Sequence, residues 1–371
     1  MDRNDLRSQS LDLLRFPLAV VVVFIHVWTP NTYGPEGSIC LSSFLNGLIE
    51  GLIRGQSVPI YFFISGYVFF LNVDMTRQTY IRKLRNRSKS LLIPYIIWNS
   101  VAIAKTFIFM LPCLAFLFRN PLTLADAHLS IKSLAYNFWD ASRGLFGDTP
   151  ATGDIFPEDY PLWFLRDLMI VVLFTPVIHF AIKKARIYAI IMLGAAWLSC
   201  VFSPYGHHSQ LLTAFFFFSW GAYMSISEKD MLAIFGKMFK ASTISYLCLA
   251  AAYAIAYVYC PKATILLKMF NQCAGLIFAY NLSAWLLRKK ICKVNKFLSS
   301  ASFFVYITHA LIAAQIYRIF CIMLPHSFSD TYLVFITEMF TLAATVCLLL
   351  AVFYLMRRFT PRLLKVVAGR K

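Results

Sequence analysis

The chain of 371 residues is 59% apolar and only 14% charged, with a mean hydropathy of +0.66. Soluble domains run nearer half apolar and a quarter charged, so a soluble protein is excluded and a polytopic membrane protein is implied. The formal charge of +18 is what basic residues flanking membrane spans produce. With no RNP, zinc-finger or helix-turn-helix pattern beside it, that charge does not imply a nucleic-acid partner. The nine cysteines are scattered through apolar runs without a CxxC, and read as small core residues rather than a metal site or a disulfide framework.

The opening segment MDRNDLRSQSLDLLRF runs into an apolar stretch with no small-residue cleavage site, which predicts an uncleaved first span. Apolar runs long enough for a hydrocarbon core of about 30 Å number roughly ten, giving an all-α fold. Their approximate limits are 13–30, 58–72, 91–118, 161–182, 187–204, 210–226, 241–260, 264–287, 297–323 and 332–356. With the N-terminus inside, the inner segments collect Arg3, Arg7 and Arg15, then the basic stretches 77–89, 183–186, 229–240 and 288–296, and a basic tail, 357–371. The outer segments hold only Arg54, Arg119, Lys132, Arg143, Lys262 and Lys268. That bias of about four to one places both termini in the cytoplasm. The outer side is acidic, with Glu36, Glu50, Asp126, Asp140, Asp148, Asp154, Glu158, Asp159 and Asp330.

Two outer segments are long. In the first, Leu41, Phe44, Leu45, Leu48, Ile49, Leu52 and Ile53 form a helical stripe too short to span, which predicts an interfacial or re-entrant helix. The second, 119–160, carries Ile131, Leu134, Ala135, Phe138 and Trp139 at similar spacing, then a Gly/Asp/Pro-rich stretch. Neither is large enough for an independent soluble domain, so the whole chain, 1–371, is expected to form one membrane domain.

Ionisable groups within spans are costly and point to function. On the first helix Arg15 and His26 are eleven residues apart, which is about 20° in azimuth and about 16 Å in height, so they share a face. Asp12, three residues before Arg15, can orient the guanidinium. The competing reading is that Arg15 snorkels and His26 hydrogen-bonds across the bundle. Ser302, Tyr306 and His309 form a second polar stripe on the ninth helix, where interhelical hydrogen bonding competes with a catalytic role. Near the outer end of the fourth helix, Trp163, Arg166 and Asp167 follow Tyr160-Pro161, and Glu338 at a similar depth is the expected partner of Arg166. Ser65-Gly66, within VPIYFFISGYVFF, provides a small pair where another helix or a thin substrate arm can come close. Lys105 has no expected partner. No GxSxG, HExxH or Walker loop is present, so an ATP-driven pump and an intramembrane metalloprotease lack support, and no metal is expected.

Several of these motifs coincide in an order that resembles the membrane-embedded acyltransferase 3 family, the bacterial O-acyltransferases of surface and secreted glycans. LDLLRFPLAVVVVFIHV, with Arg15 and His26, looks like the family's R-X10-H first helix. VPIYFFISGYVFF, NRSKSLLIPYIIW, PLWFLRDL and SSASFFVYITHAL are similar to its second-, third-, fourth- and late-helix patterns. One departure lies at the third-helix entry. Members show a second arginine three residues after the first, whereas here Ser90 follows Arg87 and Lys89 stands beside it. The sequence shows no SGNH-type hydrolase pattern, so transfer is expected to be completed by this chain or a separate partner.

The resemblance implies transfer of an acyl group, often acetyl, from cytoplasmic acyl-CoA to a hydroxyl beyond the membrane, in the cytoplasmic membrane of a bacterium. It implies Arg15, with Arg87 and Arg85, as the residues that hold the CoA phosphates. His26 would be the general base on the acceptor hydroxyl, or the carrier of an acyl-histidine intermediate. Tyr306 and His309 would orient the acceptor or stabilise the thioester oxyanion. The acceptor is expected to be an extracytoplasmic glycan or glycolipid. Two other readings stay open from the residues alone. A secondary transporter or flippase of a lipid-linked sugar would use mid-membrane His and Arg as a proton relay, although the Arg15–His26 pattern does not recur in the second half of the chain. A non-catalytic scaffold would not need a graded Arg-to-His line.

Overall fold

The computed structural model describes residues 2–28, 41–111, 123–147, 155–202, 210–323 and 331–369, and among them there is no β-strand. The helices in chain order are α1 (Arg3–Val27), α2 (Leu41–Ile49), α3 (Ser57–Phe70), α4 (Arg77–Arg87), α5 (Ile93–Ile108) and α6 (Ile131–Asn137). They continue with α7 (Trp163–Leu173), α8 (Thr175–Ala185), α9 (Ile187–Ser199), α10 (Gln210–Ile226) and α11 (Met231–Lys237). The last five are α12 (Phe239–Tyr259), α13 (Thr264–Arg288), α14 (Lys296–Met323), α15 (Thr331–Phe359) and α16 (Pro361–Val367). Of the residues singled out in the sequence, Glu36, Arg119, Asp148, Asp154 and Asp330 lie outside the described set.

Among the described residues six helical segments are long and apolar enough to cross a membrane: Arg3–Val27, Arg77–Ile108, Phe239–Tyr259, Pro261–Arg288, Lys296–Met323 and Leu333–Phe359. A seventh is obtained if α7 and α8, which break at Phe174, count as one span. The other three runs expected to span are helices of 14, 13 and 17 residues, namely α3, α9 and α10, against the roughly 20 that a perpendicular crossing needs. Large apolar side chains such as Phe180, Tyr188, Met192, Ile244, Leu247 and Phe340 are left exposed along these helices. A protein in water would bury such groups; in lipid they need no cover.

The chain divides into two compact units. Unit 1 comprises Met1–Tyr80, Leu173–Ser302 and Ser327–Thr331, and unit 2 the rest. In unit 1, helix α1 starts behind Asp2, whose side chain accepts from the Arg3 N–H, and runs unbroken through Pro17. The apolar stripe expected to be interfacial or re-entrant is α2, which ends in a π-helical turn, Glu50–Arg54, and packs on α12. Its small residues set the contact: a Cβ on Gly47 would come within 2.8 Å of the Ala254 Cα, and one on Gly51 within 3.0 Å of the Ala250 Cα. Gly47 and Gly51 are four apart, as are Ala250 and Ala254, so two small-residue faces meet and let the backbones approach.

A closer crossing joins α3 to α10. A Cβ on Gly66 would lie 1.9 Å from the Phe218 carbonyl oxygen, and a Cβ on Gly221 would lie 2.0 Å from that of Phe63. The small pair Ser65-Gly66 therefore admits a helix, not a substrate arm. Phe62, Phe63, Phe217, Phe218 and Phe235 are fully buried around this crossing and supply the core of unit 1.

The span Arg77–Ile108, which lies in unit 2 from Ile81 onward, contains a second π-helical turn, Ser88–Leu92, between α4 and α5. The described part of the second long outer segment folds back onto α5. The Tyr95 hydroxyl donates to the Phe138 carbonyl, and the Asn99 side-chain oxygen accepts from the Asp159 N–H at 3.0 Å. Phe304 of α14 packs against Phe353 of α15 and edge-on to Trp98 of α5. Trp98 also donates to the Val367 carbonyl at 2.9 Å, which docks the short C-terminal helix α16 on α5.

Candidate active site

The residues singled out in the sequence are divided between the units. Unit 1 holds Arg15 and His26, on one uninterrupted helix. The expected i, i+3 contact is present: Arg15 Nη1 lies 2.9 Å from Asp12 Oδ1. Their side chains are 39% and 35% exposed, so the pair orients the guanidinium more than it stabilises the fold. The Tyr61 hydroxyl of α3 donates to the Arg15 carbonyl at 2.6 Å, which fixes the backbone from which the guanidinium projects. His26 is half-buried in the last turn of α1, just before Trp28, which ends the helix and donates to Asn46 at 3.2 Å.

Beside that helix end stands a cluster that sequence reasoning missed. Arg54 Nη1 pairs with Glu50 at 3.0 Å across the π turn, and its Nη2 reaches the Ile25 carbonyl at 3.5 Å, one residue from His26. Lys268 of α13 bonds the other Glu50 oxygen at 2.9 Å. Burial pushes the Glu50 carboxyl up, but Lys268 and Arg54 outweigh it and hold the group below the usual carboxylate range. Glu50, Arg54 and Lys268 were visible in the sequence only as loop charges. The i, i+4 spacing of Glu50 and Arg54 was the one local signal of a pair.

Unit 2 holds Arg85, Arg87, Tyr306 and His309. Arg85 is exposed, and Arg87 is half-buried at the residue where the π turn begins. Insertions of this kind often mark functional positions in helices. The polar stripe of α14 is bonded to backbone at each step. The Ser302 hydroxyl donates to the Ser299 carbonyl at 2.8 Å, and the Tyr306 hydroxyl donates to the Pro161 carbonyl. His309 is fully buried, with Nδ1 2.6 Å from the carbonyl of Tyr306. The Tyr306 hydroxyl thus ties α14 to the start of α7, as interhelical bonding requires. The Phe164 ring packs edge-on to the Tyr306 ring, with 5.7 Å between centroids.

The expected Arg166–Glu338 pair is replaced by a different arrangement. Arg166 Nε lies 2.9 Å from Asp167 Oδ1, and Nη1 donates to the carbonyls of Trp139 and Ile155, both at 2.9 Å. The guanidinium also sits over the Trp139 ring, 5.0 Å from its centroid. Its partners come from the adjacent residue and from the folded outer segment, so Arg166 fastens that segment to α7. Nearby, Asn137 donates to Glu158 at 2.6 Å and accepts from the Leu145 N–H at 2.7 Å, while Thr106 donates to the other Glu158 oxygen at 3.1 Å. Lys105, which had no expected partner, lies within electrostatic reach of Asp159 and Glu158.

An unbroken membrane helix with a braced arginine low on it and a half-buried histidine at its end can bind an anionic group at one level and accept a proton at another. A family model described as an acyltransferase domain matches residues 8–358, and the chain belongs to this acyltransferase 3 family. It is therefore an acyltransferase, and a multi-pass membrane protein. Over 383 aligned residues it is 25% identical to the succinoglycan biosynthesis protein ExoH of Rhizobium meliloti (strain 1021), covering 100% of this chain and 94% of the relative. No solved structure matches the chain.

Proposed function

We propose that this chain is an O-acyltransferase of the bacterial cytoplasmic membrane that moves an acyl group, acetyl in the first instance, from cytoplasmic acyl-CoA to a hydroxyl of an extracytoplasmic glycan or glycolipid. In this reading ten helices cross the membrane and both termini are cytoplasmic. The short helices α3, α9 and α10 cross within the bundle, where neighbouring helices and local thinning make up their length. The similarity to a protein of succinoglycan biosynthesis supports a polysaccharide or its lipid-linked precursor as acceptor.

The observation that carries the reading is the placement of Arg15 and His26 on a single helix, about 16 Å apart along it. That is the order of distance a pantetheine arm covers between the CoA phosphates and the thioester. Arg15 binds the phosphates through charge-assisted bonds. His26 takes the proton from the acceptor hydroxyl as its oxygen attacks the thioester carbonyl; the new ester forms, and the carbon–sulfur bond breaks. CoA leaves as the thiolate and recovers a proton from the imidazolium or from water. Tyr306 contributes by tying α14 to the start of α7 through its hydroxyl.

The test is thermal unfolding of the purified protein against acetyl-CoA concentration, with Arg15→Ala and His26→Ala alongside. Ligand at about 100 times its dissociation constant adds roughly 2.7 kcal/mol to the folded state. The expected outcome is stabilisation that Arg15→Ala loses and His26→Ala keeps, with transfer activity lost in both. Full activity in His26→Ala, or no stabilisation of well-folded protein by any acyl-CoA, would reject the mechanism.

A further inference from the structure

The π turn Glu50–Arg54 and the residues after it are met by two carboxamides of α13. Asn271 Nδ2 donates to the Gly51 carbonyl at 2.6 Å, and Gln272 Nε2 donates to the Gly55 carbonyl at 3.1 Å. Gln56 Nε2 also reaches the Gly51 carbonyl, at 3.4 Å, and the Asn271 carbonyl at 3.3 Å. A carbonyl only accepts, so each amide nitrogen is held in place and each amide oxygen is turned away from it. All three oxygens, Gln56 Oε1, Asn271 Oδ1 and Gln272 Oε1, are buried without a hydrogen-bond partner among the described residues. The same holds for Ser57 Oγ and for the Arg54 Nε–H. Gln56, Ser57, Asn271 and Gln272 are each more than nine-tenths buried. Native interiors carry only a few such groups per hundred residues, and five from two short stretches that touch each other need a reason.

The chemistry of the five defines what would satisfy them. Four oxygens ask for donors and one guanidinium N–H asks for an acceptor. Three amide oxygens alone would suit a cation, but among the described residues Arg54 and Lys268 pair with one carboxylate, Glu50, and the excess positive charge opposes one. An anion would find too few donors. A neutral molecule with several hydroxyls, each donor and acceptor at once, meets every requirement. The location fits as well, since Arg54 also reaches the carbonyl of Ile25 beside His26.

We propose that Arg54, Ser57, Asn271 and Gln272 form a polyhydroxyl subsite that holds a sugar ring of the acceptor next to His26, braced by Gln56, whose Oε1 packs against Gly275. This deepens the reading of the chain as a glycan O-acyltransferase and rests on it. The experiment is titration of the intact, detergent-purified protein with cellotriose as a neutral trisaccharide and with sorbitol. It is read by calorimetry and by thermal unfolding, on wild type, Ser57→Ala and Gln272→Met. Ser57→Ala deletes only an unpartnered hydroxyl and keeps the fold. The expected result is saturable binding of cellotriose to wild type, weakened at least fivefold in each folded variant, while stabilisation by acetyl-CoA is unchanged. Equal binding to wild type and Ser57→Ala, or no binding of either polyol to well-folded wild type, overturns the subsite. So does stabilisation by sodium over choline at matched ionic strength without any sugar effect. Sugar binding that persists where acetyl-CoA fails to stabilise the wild type supports the subsite and counts only against the transfer mechanism.

Discussion

The buried polar groups around Arg166 and Asn137 in unit 2 and those around Gln56 and Asn271 in unit 1 use the same residue types and are used in opposite ways. In unit 2 the arginine and the amide spend their donors and acceptors on carbonyls, an N–H and a carboxylate of the folded outer segment. In unit 1 the amides spend only their nitrogens, on the backbone at Gly51 and Gly55, and their oxygens are left over. A network that closes on itself stabilises the fold and has nothing left to offer a ligand. One that stays open costs stability unless something else completes it.

The contrast can be broken from either side. The largest effect is expected from Arg166→Leu, which leaves the buried Asp167 without its guanidinium and releases Trp139 and Ile155. A loss of about 3–5 kcal/mol is expected, read from denaturant or thermal unfolding in mild detergent. A variant as stable as wild type would show that the closed network is not structural.

A pH dependence should follow from Asp159, whose Oδ2 has no hydrogen-bond partner among the described residues although it borders the closed network. Burial pushes this carboxyl up to about 7, with Lys105 pulling it down and Glu158 adding to the rise. An unfolded chain ionises the same group near 3.8, so between those values the folded state holds a proton that the unfolded state has released. The contribution to stability is complete below about pH 4 and is lost as pH rises through about 7. Thermal midpoints should decline across that window, and Asp159→Asn should flatten the decline.

The smallest effect has the opposite sign. Ser57→Ala removes a fully buried hydroxyl that has no hydrogen-bond partner among the described residues, so ligand-free protein should be unchanged or more stable, by up to about 1 kcal/mol. A loss of more than that on unfolding would mean the open cluster is structural after all.

Much of the architecture was legible in the chain. Apolar periodicity gave the helices, the spacing of Asp12 and Arg15 gave their contact, and Ser65-Gly66 marked a close approach that proved to be a helix crossing. The number of full-length spans was less so. An apolar run records what lipid or core will accept, not where the helix stops: α3 and α9 end short of their runs' expected reach, and α10 fills its run with only 17 residues. The partner of Arg166 was hidden for a different reason. Depth along a helix suggested Glu338, whereas backbone carbonyls from a folded loop carry no side-chain pattern and cannot be read from residue types. The open cluster was hidden by distance, because Gln56 and Asn271 are 215 residues apart, the first just outside an apolar run and the second inside one that reads as ordinary helix.

The crossing of α3 and α10 has a genetic consequence. Each of its two glycines faces a backbone carbonyl, not a side chain, so trimming the opposite residue makes no room for a methyl group. A damaging change at Gly66 or Gly221 should then be almost impossible to suppress from the partner helix. Selection for restored function at either position should return mainly true revertants to glycine, whereas packing faults met by side chains, as at Gly194 against the Phe216 ring, should yield second-site suppressors.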